Sequence, residues 1–117
     1  MPLLKIQVSY PSVTENSSST LRVEGAGIIS QEIGKSLDFV MVLVEAGISA
    51  SFGGKTSPVA YLEVKNVGEL IPEATSRLAQ RLSALIEDEL SIPKDRIYIE
   101  FQESERRLWG WNGKTFA

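Results

Sequence analysis

Three stretches of the chain alternate apolar and polar residues one for one, and a period of two commits each to a β-strand with one buried face. In the first, Leu4, Ile6 and Val8 alternate with Lys5, Gln7 and Ser9. In the second, Ala60, Leu62 and Val64 alternate with Tyr61, Glu63 and Lys65, and Val67-Gly68 ends the run. The third sets Ile97, Ile99 and Phe101 against Tyr98 and Glu100. A strand that hides one face needs a layer to hide it against, and the intervening segments supply helices. Pro72 suits a first helical turn, and Leu78, Leu82, Leu85, Ile86 and Leu90 follow at spacings of three and four, until Pro93 breaks the pattern. Earlier, the cluster Ser17-Ser18-Ser19-Thr20 offers N-caps ahead of Leu21, Ile28, Ile29 and Ile33, and Gly34 sits where a C-cap belongs. Gly25 and Gly27 inside that helix each cost about 1 kcal/mol relative to Ala, so it leans on tertiary packing. Phe39 to Val44 is a continuous apolar run, the pattern of a strand buried on both faces. Ala46 to Pro58, with Gly47, Gly53 and Gly54, reads as a turn-rich connection, and the end of the chain reads as irregular.

The order is therefore strand, helix, strand, and then strand, helix, strand again. One domain over residues 1–117 is expected, built from half-repeats at about 2–50 and 58–105 with a C-terminal segment 106–117. Right-handed crossovers place both helices on one sheet face. The other face is expected to be apolar and open, to be covered by copies of the same chain under closed cyclic symmetry.

Several chemistries are excluded at once. With no Cys and no His, the chain has no thiolate, no imidazole base, no disulfide and none of the usual zinc ligands. A net charge of −3 leaves no basic footprint for nucleic acid. The alternating N-terminal residues form neither a signal peptide nor a membrane span, so a cytoplasmic protein is expected.

What remains for proton chemistry is the chain terminus. Methionine ahead of a small residue is commonly trimmed, and Pro2 then carries a free secondary amine that acts as a base if apolar burial and nearby cations lower its pKa. The alternative is that Pro2 merely begins a strand where no ladder N–H is needed. Lys35, just after Gly34, places an ammonium near the start of strand one, or else only complements the helix dipole. Gly53-Gly54-Lys55-Thr56 lacks the earlier glycine and the following helix of a phosphate-binding loop. The run Glu103-Ser104-Glu105-Arg106-Arg107 reads as a solvated segment with no catalytic role. Trp109, Trp111 and Phe116 either cover the core or wall a pocket.

Taken together, Pro2, Gly34-Lys35, Phe52-Gly53-Gly54 with Pro58, Pro93 to Ile99, and Gly110-Trp111-Asn112 ending in Thr115-Phe116-Ala117 resemble the macrophage migration inhibitory factor and D-dopachrome tautomerase family. The resemblance runs from Pro2 to Ala117. It implies an α+β fold, a βαββαβ pseudo-repeat whose four-stranded mixed sheet carries two helices on one face, assembled as a homotrimer. It implies an isomerase that interconverts keto and enol forms of phenylpyruvate-like or dopachrome-like carbonyl acids, with Pro2 as general base and no cofactor or metal. By position it also implies that Lys35 and the Val67 backbone bind substrate, that Tyr98 comes from the neighbouring subunit, and that Trp111 and Phe116 lie near the pocket mouth. Glu100 stands where an asparagine often lines the pocket, and Trp109 replaces a smaller residue near the rim. Val59-Ala60-Tyr61-Leu62 occupies the place of a Cys-x-x-Cys found in some members, so thiol oxidoreductase chemistry is impossible here. The alternative function is a trimeric ligand-binding or signalling module with little turnover.

Overall fold

The computed structural model describes residues 1–117. Strand β1 (Pro2–Val8) leads through helix α1 (Glu15–Ile33) to β2 (Met41–Glu45), and β3 (Ala60–Val67) leads through α2 (Pro72–Leu90) to β4 (Ile97–Ser104). Short 3-10 turns at Leu37–Phe39, Lys94–Arg96 and Arg106–Leu108 precede β2, β4 and a terminal hairpin of β5 (Gly110–Trp111) and β6 (Lys114–Thr115). The main sheet has the order β2-β1-β3-β4. The outer pairs β1–β2 and β3–β4 are parallel, and the central pair β1–β3 is antiparallel with Pro2 opposite Asn66 and Ile6 opposite Leu62.

The alternating residues settle which face is covered. Leu4, Ile6, Val8, Leu62 and Val64 pack against Leu21 and Ile29 of α1 and Leu78, Leu82 and Ile86 of α2, all essentially inaccessible to water. Burying each large side chain stabilises the fold by roughly 1.5–3 kcal/mol before entropy is counted. The two helices are also tied to each other at their surface, where the Glu32 carboxylate accepts from Arg77 Nε at 2.7 Å and Arg81 at 3.1 Å. Those two hydrogen bonds hold its pKa below the usual carboxylate range.

Four local expectations are corrected. Helix α1 begins at Glu15, capped by Thr14, whose hydroxyl accepts the Ser17 N–H at 3.1 Å, so the serine cluster lies inside the first turns. Thr14 is extended and its hydroxyl satisfies one of the free N–H groups of the first turn, so the cap forms three residues ahead of the serines. Strand β2 starts at Met41, with Phe39 in the preceding 3-10 turn, and it is an edge strand rather than one buried on both faces. Val42 and Val44 pack on the core, whereas Met41 and Leu43 are 59% and 46% exposed, because only one sheet face carries helices.

The open face is also not uniformly apolar. Leu3 beside Met41, together with Leu43, forms an apolar strip, but Lys5, Tyr61, Glu63, Lys65 and Glu100 occupy the middle. Glu63 lies 3.9 Å from Lys5 and 3.5 Å from Lys65, and the Tyr61 hydroxyl lies 3.0 Å from Glu63 and 2.8 Å from Glu100. Burial works against the Glu63 carboxylate, but the Tyr61 hydroxyl and the two lysines outweigh it and lower its pKa. The period of two dictates this outcome: residues that alternate with the core must face the other way.

The C-terminal segment, expected to be irregular, closes a two-residue hairpin at Asn112-Gly113, both with positive φ (54° and 78°). Asn-Gly is the pair that a type I′ turn selects. The connection before β3 is organised by one side chain: Arg96 donates to the carbonyls of Phe52, Lys55, Ser57 and Pro58 and lies over the Phe52 ring. No helix is long and apolar enough to cross a membrane.

The two glycines of α1 separate cleanly. A Cβ on Gly25 would lie 2.9 Å from Cδ2 of the fully buried Leu4, whereas one on Gly27 meets nothing within 4 Å. Gly27→Ala is therefore expected to raise stability by about 1 kcal/mol through helix propensity. Gly25→Ala gains the same propensity but overpacks the core by about 1–3 kcal/mol, and its net effect is a loss. Urea unfolding midpoints at matched protein concentration check both directions.

Candidate active site

The start of β1 does not fray, because Pro2 is buried and paired across to Asn66 of β3, while Leu3 bonds into both β2 and β3. The Met1 carbonyl continues the ladder, accepting the Val67 N–H at 3.4 Å. Beside it opens a cavity of about 460 Å³ lined by Met1, Lys35, Phe39, Val67, Gly68, Arg106, Trp111 and Phe116.

Local structure delivers each wall. Gly34 adopts φ 76°, ψ 36° and ends α1 with its N–H on the Ser30 carbonyl, a left-handed turn that an L side chain would strain. The chain thereby swings Lys35 back over the sheet, where the Ser30 hydroxyl holds its carbonyl at 2.6 Å and its Nζ donates to the Val67 carbonyl at 3.4 Å. Gly68, at φ 107°, donates to the Ser104 carbonyl at 3.1 Å and so brings the end of β3 against the segment that carries Arg106. The hairpin then folds back: the Phe116 N–H reaches the Arg106 carbonyl at 3.2 Å and the Trp109 carbonyl at 3.3 Å. Its rings complete an aromatic wall, Trp111 stacked on Phe116 at 6.5 Å and meeting Phe39 edge-on at 5.8 Å.

The electrostatics are one-sided. Two cations, Lys35 and Arg106, line the cavity and no carboxylate does. The terminal amine, carried here by Met1, has its pKa lowered from the ordinary α-amino value, first by burial and then by the charge of Lys35. An amine kept partly neutral in an apolar hollow can accept a proton, and fixed cations beside it can hold an anion.

Of the residues singled out in the sequence, Lys35, Val67, Trp111 and Phe116 share this cavity, with Pro2 directly behind Met1. Tyr98 and Glu100 are elsewhere in the same subunit. Tyr98 is 64% exposed and packs on Phe52 at 4.8 Å, in a separate hollow with Tyr61, and Glu100 meets the Tyr61 hydroxyl on the open face. Trp109 is not part of the lining. Phe39, Gly68 and Arg106 are the lining residues that sequence reasoning passed over. Arg106 belongs to a charge run whose sequence reads as solvated; the fold separates it from Arg107, which pairs with Glu105 at 3.0 Å, while Arg106 lines the cavity without an ion pair. Asn66, opposite Pro2, is the one buried polar residue, and its Oδ1 has no hydrogen-bond partner.

Known proteins place this architecture. The family model for macrophage migration inhibitory factor matches residues 1–117. The macrophage migration inhibitory factor homolog of Brugia malayi is 34% identical, with both chains covered completely. Among solved structures, the homologue from Prochlorococcus marinus superposes with a TM-score of 0.91 at 39% identity, covering 98% of this chain and 99% of that one. Leishmania major MIF2 superposes with a TM-score of 0.91 at 34% identity, covering 99% and 97%. This chain, with its mixed sheet, one-sided helix pair and terminal cavity, belongs to the macrophage migration inhibitory factor family.

Proposed function

We propose that the protein is a keto-enol tautomerase of small carbonyl acids such as phenylpyruvate, with Pro2 as general base once Met1 is removed. The observation that carries this reading is the terminal amine in an apolar, cationic cavity with its pKa held down by burial and by Lys35. Excision of Met1 moves that amine one residue inward, onto a strand fixed from both sides, and clears the part of the cavity that Met1 fills. The Pro2 nitrogen then takes a proton from the carbon beside the substrate carbonyl. The C–H electron pair forms the enol double bond, the carbonyl π pair goes to oxygen, and the prolinium returns the proton to that oxygen. Lys35 stabilises the developing enolate. Aromatic rings of Phe39, Trp111 and Phe116 suit an aryl substituent.

The reading includes a homotrimer, the assembly typical of this family. Its support here is the apolar strip of Leu3, Met41 and Leu43 along an open sheet edge, together with Tyr98 and Phe52, which lie apart from the terminal cavity of their own subunit and are available to a neighbour's. A second reading, a trimeric binding or signalling module with little turnover, keeps the same cavity. A processed chain that binds aryl acids but isomerises none favours it.

Three outcomes are expected. Processed protein, identified by intact mass, isomerises phenylpyruvate, while protein retaining Met1 and the processed Pro2→Gly variant lose about 100-fold or more in kcat/KM without losing assembly. Unchanged turnover in the glycine variant removes Pro2 from the mechanism. The rate of the processed enzyme rises with pH as the amine loses its proton, and Lys35→Met moves that inflection upward, since a nearby positive charge no longer disfavours the ammonium. Leu43→Asp, which puts a charge into the apolar strip, is expected to yield monomers by sedimentation and to abolish turnover together with assembly.

A further inference from the structure

We infer that Arg106 is the anchor for the substrate's carboxylate and makes the cavity selective for acids over their neutral esters, an inference that rests on the functional reading above. Three observations lead to it. First, Arg106 lines the terminal cavity but makes no ion pair, whereas the adjacent Arg107 is neutralised by Glu105 at 3.0 Å. Second, the acids nearest to it are otherwise engaged or apart. Glu69, Glu103 and Glu105 border a hollow on its other side, yet Glu103 accepts the Leu70 N–H at 2.6 Å, Glu105 holds Arg107, and none reaches Arg106 within ion-pair distance. Third, its backbone is fixed. It opens the 3-10 turn Arg106–Leu108, and its carbonyl receives both the Trp109 and the Phe116 N–H.

A free guanidinium on a pinned backbone, lining an aromatic-walled cavity whose other charged side chain is Lys35, is suited to a planar carboxylate. Its fork of donors matches the two oxygens, and unlike Lys it does so with fixed geometry. Its position also resolves a conflict in the site. Lys35 lowers the pKa of the terminal amine. A substrate carboxylate resting on Lys35 would cancel part of that field and return the amine toward its protonated, inactive form. Lys35 and Arg106 reach the cavity through different attachments to the end of β3, since Lys35 Nζ donates to the Val67 carbonyl while Gly68 bonds to Ser104, two residues before Arg106. With the carboxylate held by Arg106, Lys35 keeps its influence on the amine and remains free for the enolate oxygen.

The test compares two ligands that cannot enolise, 4-hydroxycinnamate and its methyl ester, by calorimetry on processed wild type, Arg106→Met and Arg106→Lys. Wild type is expected to prefer the acid. Arg106→Met should weaken the acid by about 10- to 100-fold while changing the ester by less than about threefold, and Arg106→Lys, which keeps the charge but not the fork, should fall between. With phenylpyruvate, the methionine variant should raise KM while kcat and the pH inflection stay near those of wild type, which distinguishes it from Lys35→Met. Equal loss for acid and ester, no loss for either, or a wild type that does not prefer the acid overturns the assignment. Acid-selective binding lost in Arg106→Met, in a protein that isomerises nothing, leaves the anchor standing and removes only the tautomerase reading.

Discussion

The whole molecule depends on β1 being an interior strand. Chain termini usually fray, because their first residues have neighbours on one side at best. Here the first strand enters the sheet between β2 and β3, and its alternate residues Leu4, Ile6 and Val8 are driven into the core beneath both helices. That burial fixes the terminal residues to within a side chain's reach of the end of α1 and the end of β3. A flexible terminal amine would be an ordinary solvated base; one held between two strands acquires the partial burial and the lysine neighbour that perturb it. The hydrophobic alternation that builds the core is thus also what makes the terminus chemically distinctive.

The same alternation explains the face that the helices leave uncovered. Each core residue on β1 and β3 obliges its neighbour to point outward, and those neighbours are Lys5, Gln7, Tyr61, Glu63 and Lys65. Their partners lie on the same face, with Glu63 accepting from Tyr61 and flanked by both lysines and Gln7 donating to Glu45 of β2. The apolar surface lies toward the edges, with Leu3, Met41 and Leu43 near β2 and Tyr98 against Phe52 at β4. A face that is polar in its middle and apolar only toward its rims does not suit a dry, flat interface over its whole area.

How far the sequence was legible follows from how local each signal is. Period-two alternation located β1, β3 and β4, and Pro72 with five apolar residues at helical spacing located α2, because these patterns are read within a few residues. Lys35 and Pro2 were singled out for separate chemical reasons, and one cavity brings their segments together because Gly34 turns the chain there. The remaining features depend mostly on tertiary structure. The run Phe39 to Val44 does not tell which of its faces lacks a covering layer, so it read as doubly buried. Arg106 and Arg107 are adjacent residues of one type, and only the fold separates them: Arg107 pairs with Glu105, whereas Arg106 lines the terminal cavity. Asn112-Gly113 was the strongest hairpin signal in the chain and is masked by the aromatic residues around it. Tyr98 and Glu100 follow the strand pattern faithfully, and both lie outside the terminal cavity of their own chain.

Net charge was the least informative number of all. A chain at −3 would be expected to repel anions, yet its terminal cavity carries two cations and no acid. The acids lie on the open face, along the helix surfaces and in the hollow beyond Arg106, and several already hold a cation or a hydrogen-bond donor of their own. Solvent screening, with a Debye length of about 8 Å, weakens the acids on the open face and helix surfaces, while of those beside Arg106 Glu103 accepts the Leu70 N–H and Glu105 pairs with Arg107. The local field of the cavity is therefore set by Lys35 and Arg106 against low-dielectric aromatic walls rather than by the average charge of the protein. Selectivity in such a cavity is decided by which cations lack partners, and that is a matter of where the chain turns rather than of how many charges it has.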